Sequence, residues 1–251
     1  MSTFCLVHGA NLGAWCWESL ISELENRGHQ TIAMDLPIDD PSASLSNFVD
    51  VVMQSLKGVN DDIILVGHSF AGMVIPIVAT RHPVRRLVFL GGLIPQIAMS
   101  GLDQFYDEVE PARLEKINYQ PPDAKLFEQL SDEPDMYMPP CPALIEPSSI
   151  NEAVLMEICF HDCEPDLAHW AISKLRAQLS SASITEIFPL QTMPDVEYAY
   201  IICKDDRIIS PAWSKYAARK RLEVEAIEIP GGHYPHISHP VQLAEVLTKS
   251  T

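Results

Sequence analysis

The sequence predicts an α/β protein: a doubly wound, mostly parallel sheet with a helical cap inserted over the C-terminal edge of its strands. Three observations carry this. Short continuous apolar runs alternate with amphipathic stretches through the first part of the chain, the alternation breaks after Pro95, and strand-like runs resume after Pro194. Residues 1–95 and 194–251 are accordingly read as one core, and residues 96–193 as the cap.

The strands come first. Phe4-Cys5-Leu6-Val7 ends at His8-Gly9, Thr31-Ile32-Ala33-Met34 is closed by Asp35 and Pro37, and Ile63-Ile64-Leu65-Val66 ends at Gly67. Leu87-Val88-Phe89-Leu90 ends at Gly91-Gly92, and later runs cover Tyr198–Ile202 and Val224–Ile229. Continuous rather than alternating apolar runs suit parallel strands covered on both faces.

Helical spacing fills the gaps. Trp17, Leu20, Ile21 and Leu24 share one face of a helix over Trp15–Glu25, and Phe48, Val51, Val52 and Leu56 do so over Leu45–Leu56. Ala71–Arg81 is apolar all round, as a helix buried against a sheet should be. Within the cap, helical pieces are expected near Ala124–Leu130 and Asp166–Leu179, set among Pro-rich irregular chain.

Composition excludes several classes of function. The 251 residues are 47% hydrophobic and 20% charged, which is globular rather than disordered composition. The formal net charge is −17, and between Gly101 and Trp170 there are 16 acidic residues against 3 basic ones. Such a chain is a poor partner for nucleic acid or an anionic membrane, which require clustered basic side chains. No basic n-region precedes an apolar stretch, and no apolar run approaches the roughly 18 residues of a membrane span. Six scattered cysteines without CxxC pairs read as reduced thiols, so a cytoplasmic location is expected.

Gly67-His68-Ser69-Phe70-Ala71-Gly72 joins the third strand to the apolar helix. A serine on a sharp strand-to-helix turn is pushed outward, and its neighbours must be small because the two backbones nearly touch. Ala71 stands at the usual second glycine, with Gly72 directly after it. The competing reading is a plain serine N-cap, which the strand–turn–helix context disfavours. A serine nucleophile needs a base and an orienting carboxylate, supplied in such chains from loops after late strands. Lys204-Asp205-Asp206-Arg207 follows the fifth run and Pro230-Gly231-Gly232-His233 the sixth, which makes His233 the best-placed histidine. At the end of the first strand, Gly9 can turn the backbone so that the amide of Ala10 joins that of Phe70 as an oxyanion donor.

Other histidines compete. His233, His236 and His239 have metal-like spacing, but Pro235 and Pro240 disfavour one helix presenting all three, and no metal or other cofactor is expected. His161-Asp162-Cys163 are adjacent and cannot converge on one another. His68 is expected to pack and hydrogen-bond within the turn.

These motifs, with Gly13-Ala14-Trp15-Cys16-Trp17, Phe160-His161-Asp162-Cys163 and Leu175-Arg176-Ala177-Gln178, resemble the α/β-hydrolase superfamily. They are similar in particular to the small branch of plant methylesterases and hydroxynitrile lyases and their bacterial esterase relatives. The resemblance implies Ser69 as nucleophile, His233 as base, Asp206 rather than Asp205 as orienter, and the amides of Ala10 and Phe70 as the oxyanion hole. Where the better-known plant lyases carry Thr and Lys, this chain has Gly9 and Tyr234. Without an ammonium group to stabilise departing cyanide, esterase chemistry is favoured.

The expected function is therefore serine-dependent hydrolysis of a small to medium, largely apolar carboxylic ester or lactone through an acyl-enzyme. The alternatives are a lyase of the hydroxynitrile-lyase type or another non-hydrolytic use of the pocket, and a ligand-binding receptor on a hydrolase fold. Pocket candidates are Asn11, Leu12, His68, Phe160, Trp170 and Tyr234, with Phe105, Leu155 and Met156 among the apolar surface of the cap. The expected partner is a small-molecule ester, with no nucleic acid and no membrane, and a homodimer is left open. The acidic cap is read first as solvated surface and second as a field disfavouring anionic substrates.

Overall fold

The computed structural model describes residues 1–60, 62–109 and 150–249. Six strands form one sheet in which every pairing is parallel: β1 (Thr3–Val7), β2 (Gln30–Ala33), β3 (Ile63–His68), β4 (Arg86–Leu90), β5 (Glu197–Cys203) and β6 (Ile227–Ile229), in the order β2-β1-β3-β4-β5-β6. The order reverses direction after β1, so the crossovers place helices on both faces. Every residue of β1 and β3 is buried, which accounts for their uninterrupted apolar sequences. Edge strand β2 is half-exposed and carries Gln30 and Thr31.

The runs from the sequence all appear as strands except at the last edge. A strand from Val224 was expected, but β6 begins only at Ile227. The turn of helix over Ala218–Leu222 ends at Glu223 in the left-handed region (φ 56°), and the chain needs the next residues to reverse onto the sheet.

The helix expected over Ala71–Arg81 is also broken. Ser69–Met73 forms a 3-10 turn and an α-helix covers only Ile75–Ala79. Pro76 has no N–H to donate to the preceding turn, so the helix restarts there. The Trp15–Glu25 stretch divides likewise into a 3-10 turn at Ala14–Trp17 and a helix over Glu18–Asn26. Helix Leu45–Ser55 is as expected and is closed by a reciprocal Ser44–Asn47 capping box.

Between β4 and β5 the described chain holds helices at Gly101–Gln104, Glu152–Cys159, Pro165–Ser173 and Ser181–Thr185. The helix expected to reach Leu179 stops at Ser173. Beyond it the backbone donors go to the core instead, Arg176 N–H to Asn11 O and Leu179 N–H to Ile38 O. The helix expected near Ala124–Leu130 lies outside the described residues. No described helix is long and apolar enough to cross a membrane.

Candidate active site

The site forms where β1, β3, β5 and β6 end at their C-terminal edge. Ser69 follows β3 directly and has φ 53°, the left-handed region that a non-glycine residue enters at a cost of about 1–3 kcal/mol. The turn is held by Leu93 N–H donating to Ser69 O at 3.0 Å. The tightest approach lies at Gly72: a Cβ there would sit 1.9 Å from Leu93 O. Ala71, at the usual glycine position, is accommodated as a fully buried methyl. The small-residue requirement has moved one position along the chain.

His233 and Asp206 meet in the interior. His233 Nδ1 lies 2.7 Å from Asp206 Oδ2, and both side chains are buried. Asp206 Oδ1 accepts the backbone N–H groups of Ile208 and Ile209 at 2.8 and 2.9 Å. Asp206 keeps its carboxylate orientation by bonding the first turn of its own loop, and that loop's sequence Asp-Arg-Ile-Ile supplies the two donors. With Nδ1–H donated to the carboxylate, Nε2 of His233 is the nitrogen left to accept a proton. Asp205 faces elsewhere: its Oδ2 accepts Gly231 N–H at 3.2 Å.

The turn after β1 places Ala10 and Asn11 at the same cavity. Asn11 occupies the left-handed region (φ 61°), which asparagine tolerates better than most residues. Its Nδ2–H donates to Arg176 O at 3.0 Å while Arg176 N–H donates to Asn11 O at 2.9 Å. Gly9 is pressed against the turn at Ser69, since a Cβ there would lie 2.8 Å from Ser69 Cβ and 3.0 Å from His68 Nδ1.

One cavity gathers Ala10, Asn11, Ser69, Phe70, His233 and Tyr234 with the apolar side chains of Leu93, Phe105, Ile184, Ile208 and Ile209. Of the six pocket candidates, Asn11 and Tyr234 line it. Leu12, His68, Phe160 and Trp170 do not, and each has a physical reason. Leu12 is fully buried in the core. His68 is turned away from the cavity, with Nε2 2.8 Å from His233 O. Phe160 lies behind Tyr234, with ring centroids 5.0 Å apart. Trp170 packs edge-on against Trp15 on the surface. Leu93, Ile184, Ile208 and Ile209 were missed from the sequence. Ile208 and Ile209 directly follow Asp206-Arg207, so proximity to Asp206 was the available signal.

Tyr234 stands where the plant lyases carry Lys. Its hydroxyl pairs with the Cys159 thiol, and burial pushes the thiol up to about 12, so both groups stay protonated. Around it lies a buried set of imidazoles. His8 Nε2 accepts Leu36 N–H at 2.9 Å, and burial lowers its pKa to about 4. His68 and His236 are likewise held well below the ordinary histidine value by burial, and His236 packs against Trp17 with ring centroids 4.4 Å apart. His239 lies instead 2.8 Å from Ser238 Oγ, so His233, His236 and His239 point to different partners. Among the described residues no three His, Cys, Asp or Glu side chains form a metal-binding group.

The fold and this arrangement define a class of protein. Residues 6–246 match the alpha/beta hydrolase family, and the chain belongs to it. It is 27% identical over 256 residues to norfluorocurarine synthase 1 of a Strychnos species, covering 97% of this chain and 93% of that one. It is 26% identical to salicylic acid-binding protein 2 of Nicotiana tabacum, covering 97% of this chain and 95% of the relative. Among solved structures, an extracellular alpha/beta-hydrolase from a Paenibacillus species superposes with a TM-score of 0.75 at 22% identity, over 99% of this chain and 98% of the other.

Proposed function

We propose that this carboxylic-ester hydrolase works through Ser69, His233 and Asp206, with the amides of Ala10 and Phe70 binding the oxyanion. The observation that carries the reading is the buried His233–Asp206 hydrogen bond of 2.7 Å beside a cavity that Ser69 enters from a strained turn. His233 Nε2 takes the Ser69 proton as Oγ attacks the ester carbonyl. The carbonyl oxygen gains negative charge and is held by the two backbone N–H groups, each worth about 3 kcal/mol in the transition state. His233 then returns the proton to the departing alcohol, and water activated by the same imidazole hydrolyses the acyl-Ser69 ester.

The lining supports a neutral, largely apolar acyl group. The described lining residues include no Lys or Arg to offer itself to a free carboxylate. A methyl or aryl ester or a lactone fits that chemistry. The described segment between β4 and β5, which brings Phe105 and Ile184 to the cavity, acts as its cap. Six scattered cysteines without CxxC pairs fit a reducing, cytoplasmic setting.

Pre-steady-state hydrolysis of p-nitrophenyl acetate tests this against the lyase and receptor alternatives. A burst of p-nitrophenol stoichiometric with enzyme, abolished by a serine-directed phosphonate, is expected. Cleavage of a cyanohydrin without ester turnover, or tight binding of esters without release of alcohol, would replace the reading.

A further inference from the structure

Two adjacent side chains from the segment between β4 and β5 reach both loops that hold the buried pair. Asp162 Oδ2 accepts the backbone N–H of Gly232 at 2.7 Å, immediately before His233, and also the Ser238 hydroxyl at 2.7 Å. His239 Nδ1 lies 3.5 Å from the same oxygen. His161 Nε2 meets the backbone carbonyl of Asp205 at 3.1 Å, immediately before Asp206. The two loops are tied to each other by Asp205 N–H donating to Gly231 O at 3.0 Å. Arg207, on the other side of Asp206, bonds both the side chain and the backbone carbonyl of Glu157.

The glycines before His233 are shaped by this contact. A Cβ on Gly232 would lie 2.8 Å from His161 Nε2 and 2.9 Å from Asp162 Oδ1. Gly231 has φ 99°, and a Cβ there would lie 2.7 Å from both Asp162 Oδ2 and His239 Nδ1. The paired glycines therefore serve close approach to His161 and Asp162 as much as backbone freedom. Asp162 Oδ1 is buried with no hydrogen-bond partner.

We propose that His161-Asp162 is a positioning device for the proton-transfer pair, fixing the distance and angle between His233 and Asp206 by pinning the residue before each of them. Neither side chain touches the substrate. Asp162 acts through the Gly232 amide and His161 through the Asp205 carbonyl. The segment between β4 and β5 thus does more than cover the cavity: it completes the geometry of the base. This inference rests on His233 acting as base, as proposed above.

The test compares Asp162→Ala with Asp162→Asn, which keeps a carbonyl oxygen for the Gly232 N–H. Sites are first counted by phosphonate titration of the serine, so that loss of folded enzyme is separated from loss of rate. Asp162→Ala is expected to lower kcat per titrated serine by about 10- to 100-fold with KM for the ester within about twofold, as misplacement of a reacting group does. Asp162→Asn is expected to recover most of that loss. Amide hydrogen exchange at Gly232 and His233 is expected to speed up in Asp162→Ala and not in Asp162→Asn.

If Asp162→Ala does not fold, His161→Phe removes the arm to Asp205 alone and is read in the same way. An unchanged kcat per titrated serine, or a loss in KM alone, overturns the inference, and so does an Asn variant as slow as Ala. Hydrolysis surviving in Ser69→Ala would instead overturn the underlying function, while the exchange rates at Gly232 still report on the tether itself.

Discussion

Asp206 divides its carboxylate between two tasks: one oxygen takes His233 Nδ1–H at 2.7 Å, and the other closes a turn with the Ile208 and Ile209 amides. A buried carboxylate with all these partners is fixed in orientation and desolvated only against groups that favour its charge. The imidazole is thereby held with its distal nitrogen toward the cavity. Removing the charge should disturb the tautomer while leaving the packing in place. Asp206→Asn is expected to lower kcat for p-nitrophenyl acetate by about 10³- to 10⁴-fold, with Asp205→Asn losing less than tenfold. Steady-state kinetics of the two variants side by side checks it.

Gly72 rather than Ala71 is the residue that cannot grow. A methyl at Gly72 would enter the Leu93 carbonyl, whose amide also holds Ser69 in place. Gly72→Ala is expected to destabilise the protein by about 1–3 kcal/mol and to remove most activity, whereas Ala71→Gly should keep the fold. Urea midpoints and rates of the two variants measure the contrast.

Gly9 sits against Ser69 and His68 with less than a van der Waals gap for a side chain. Gly9→Thr, which installs the residue found in the plant lyases, should push the nucleophile turn and lower esterase kcat by at least about tenfold. It should gain no cyanohydrin cleavage, because Tyr234 supplies no ammonium. Assays of ester and cyanohydrin on the same preparation decide both points.

Three buried imidazoles are expected to weaken the fold in acid. His8, His68 and His236 are neutral in the folded chain and have folded pKa values below the unfolded one of about 6.5. The unfolded chain therefore binds more protons below that pH, and unfolding free energy falls as pH drops from about 6.5 toward the folded values. Each histidine adds a slope of up to about 1.4 kcal/mol per pH unit. Urea unfolding at pH 7 and pH 5 should show the loss. His236→Phe removes one of these titrating rings and should flatten the slope, at little cost in hydrogen bonds because neither ring nitrogen of His236 has a partner.

The parts of this molecule that repeat locally were legible in the sequence. Ile63–Val66 reads as a buried strand because the run itself is uninterruptedly apolar, and the Gly67–Gly72 turn reads as a nucleophile elbow because its spacing is local. Ser69 and His233 line one cavity and Asp206 bonds His233 from beside it, in the chain order that the strands set. The long tethers had no such signal. Arg176 meets Asn11 across 165 residues, and Asp162 meets Gly232 across 70. No periodicity in either segment announces its partner. Trp170 and Phe160 were drawn to the pocket by their size, yet one caps Trp15 on the surface and the other fills the layer behind Tyr234. Helical spacing had the same weakness at Pro76, where an apolar stretch concealed a restart.

The most direct measurement is the covalent one. The enzyme is mixed with p-nitrophenyl acetate, quenched in acid within the burst phase, digested, and its peptides are weighed. An acetyl group is expected on the peptide containing Ser69, absent from Ser69→Ala, which should also lose ester hydrolysis. An acetyl group on another residue, or hydrolysis persisting in Ser69→Ala, would contradict the account.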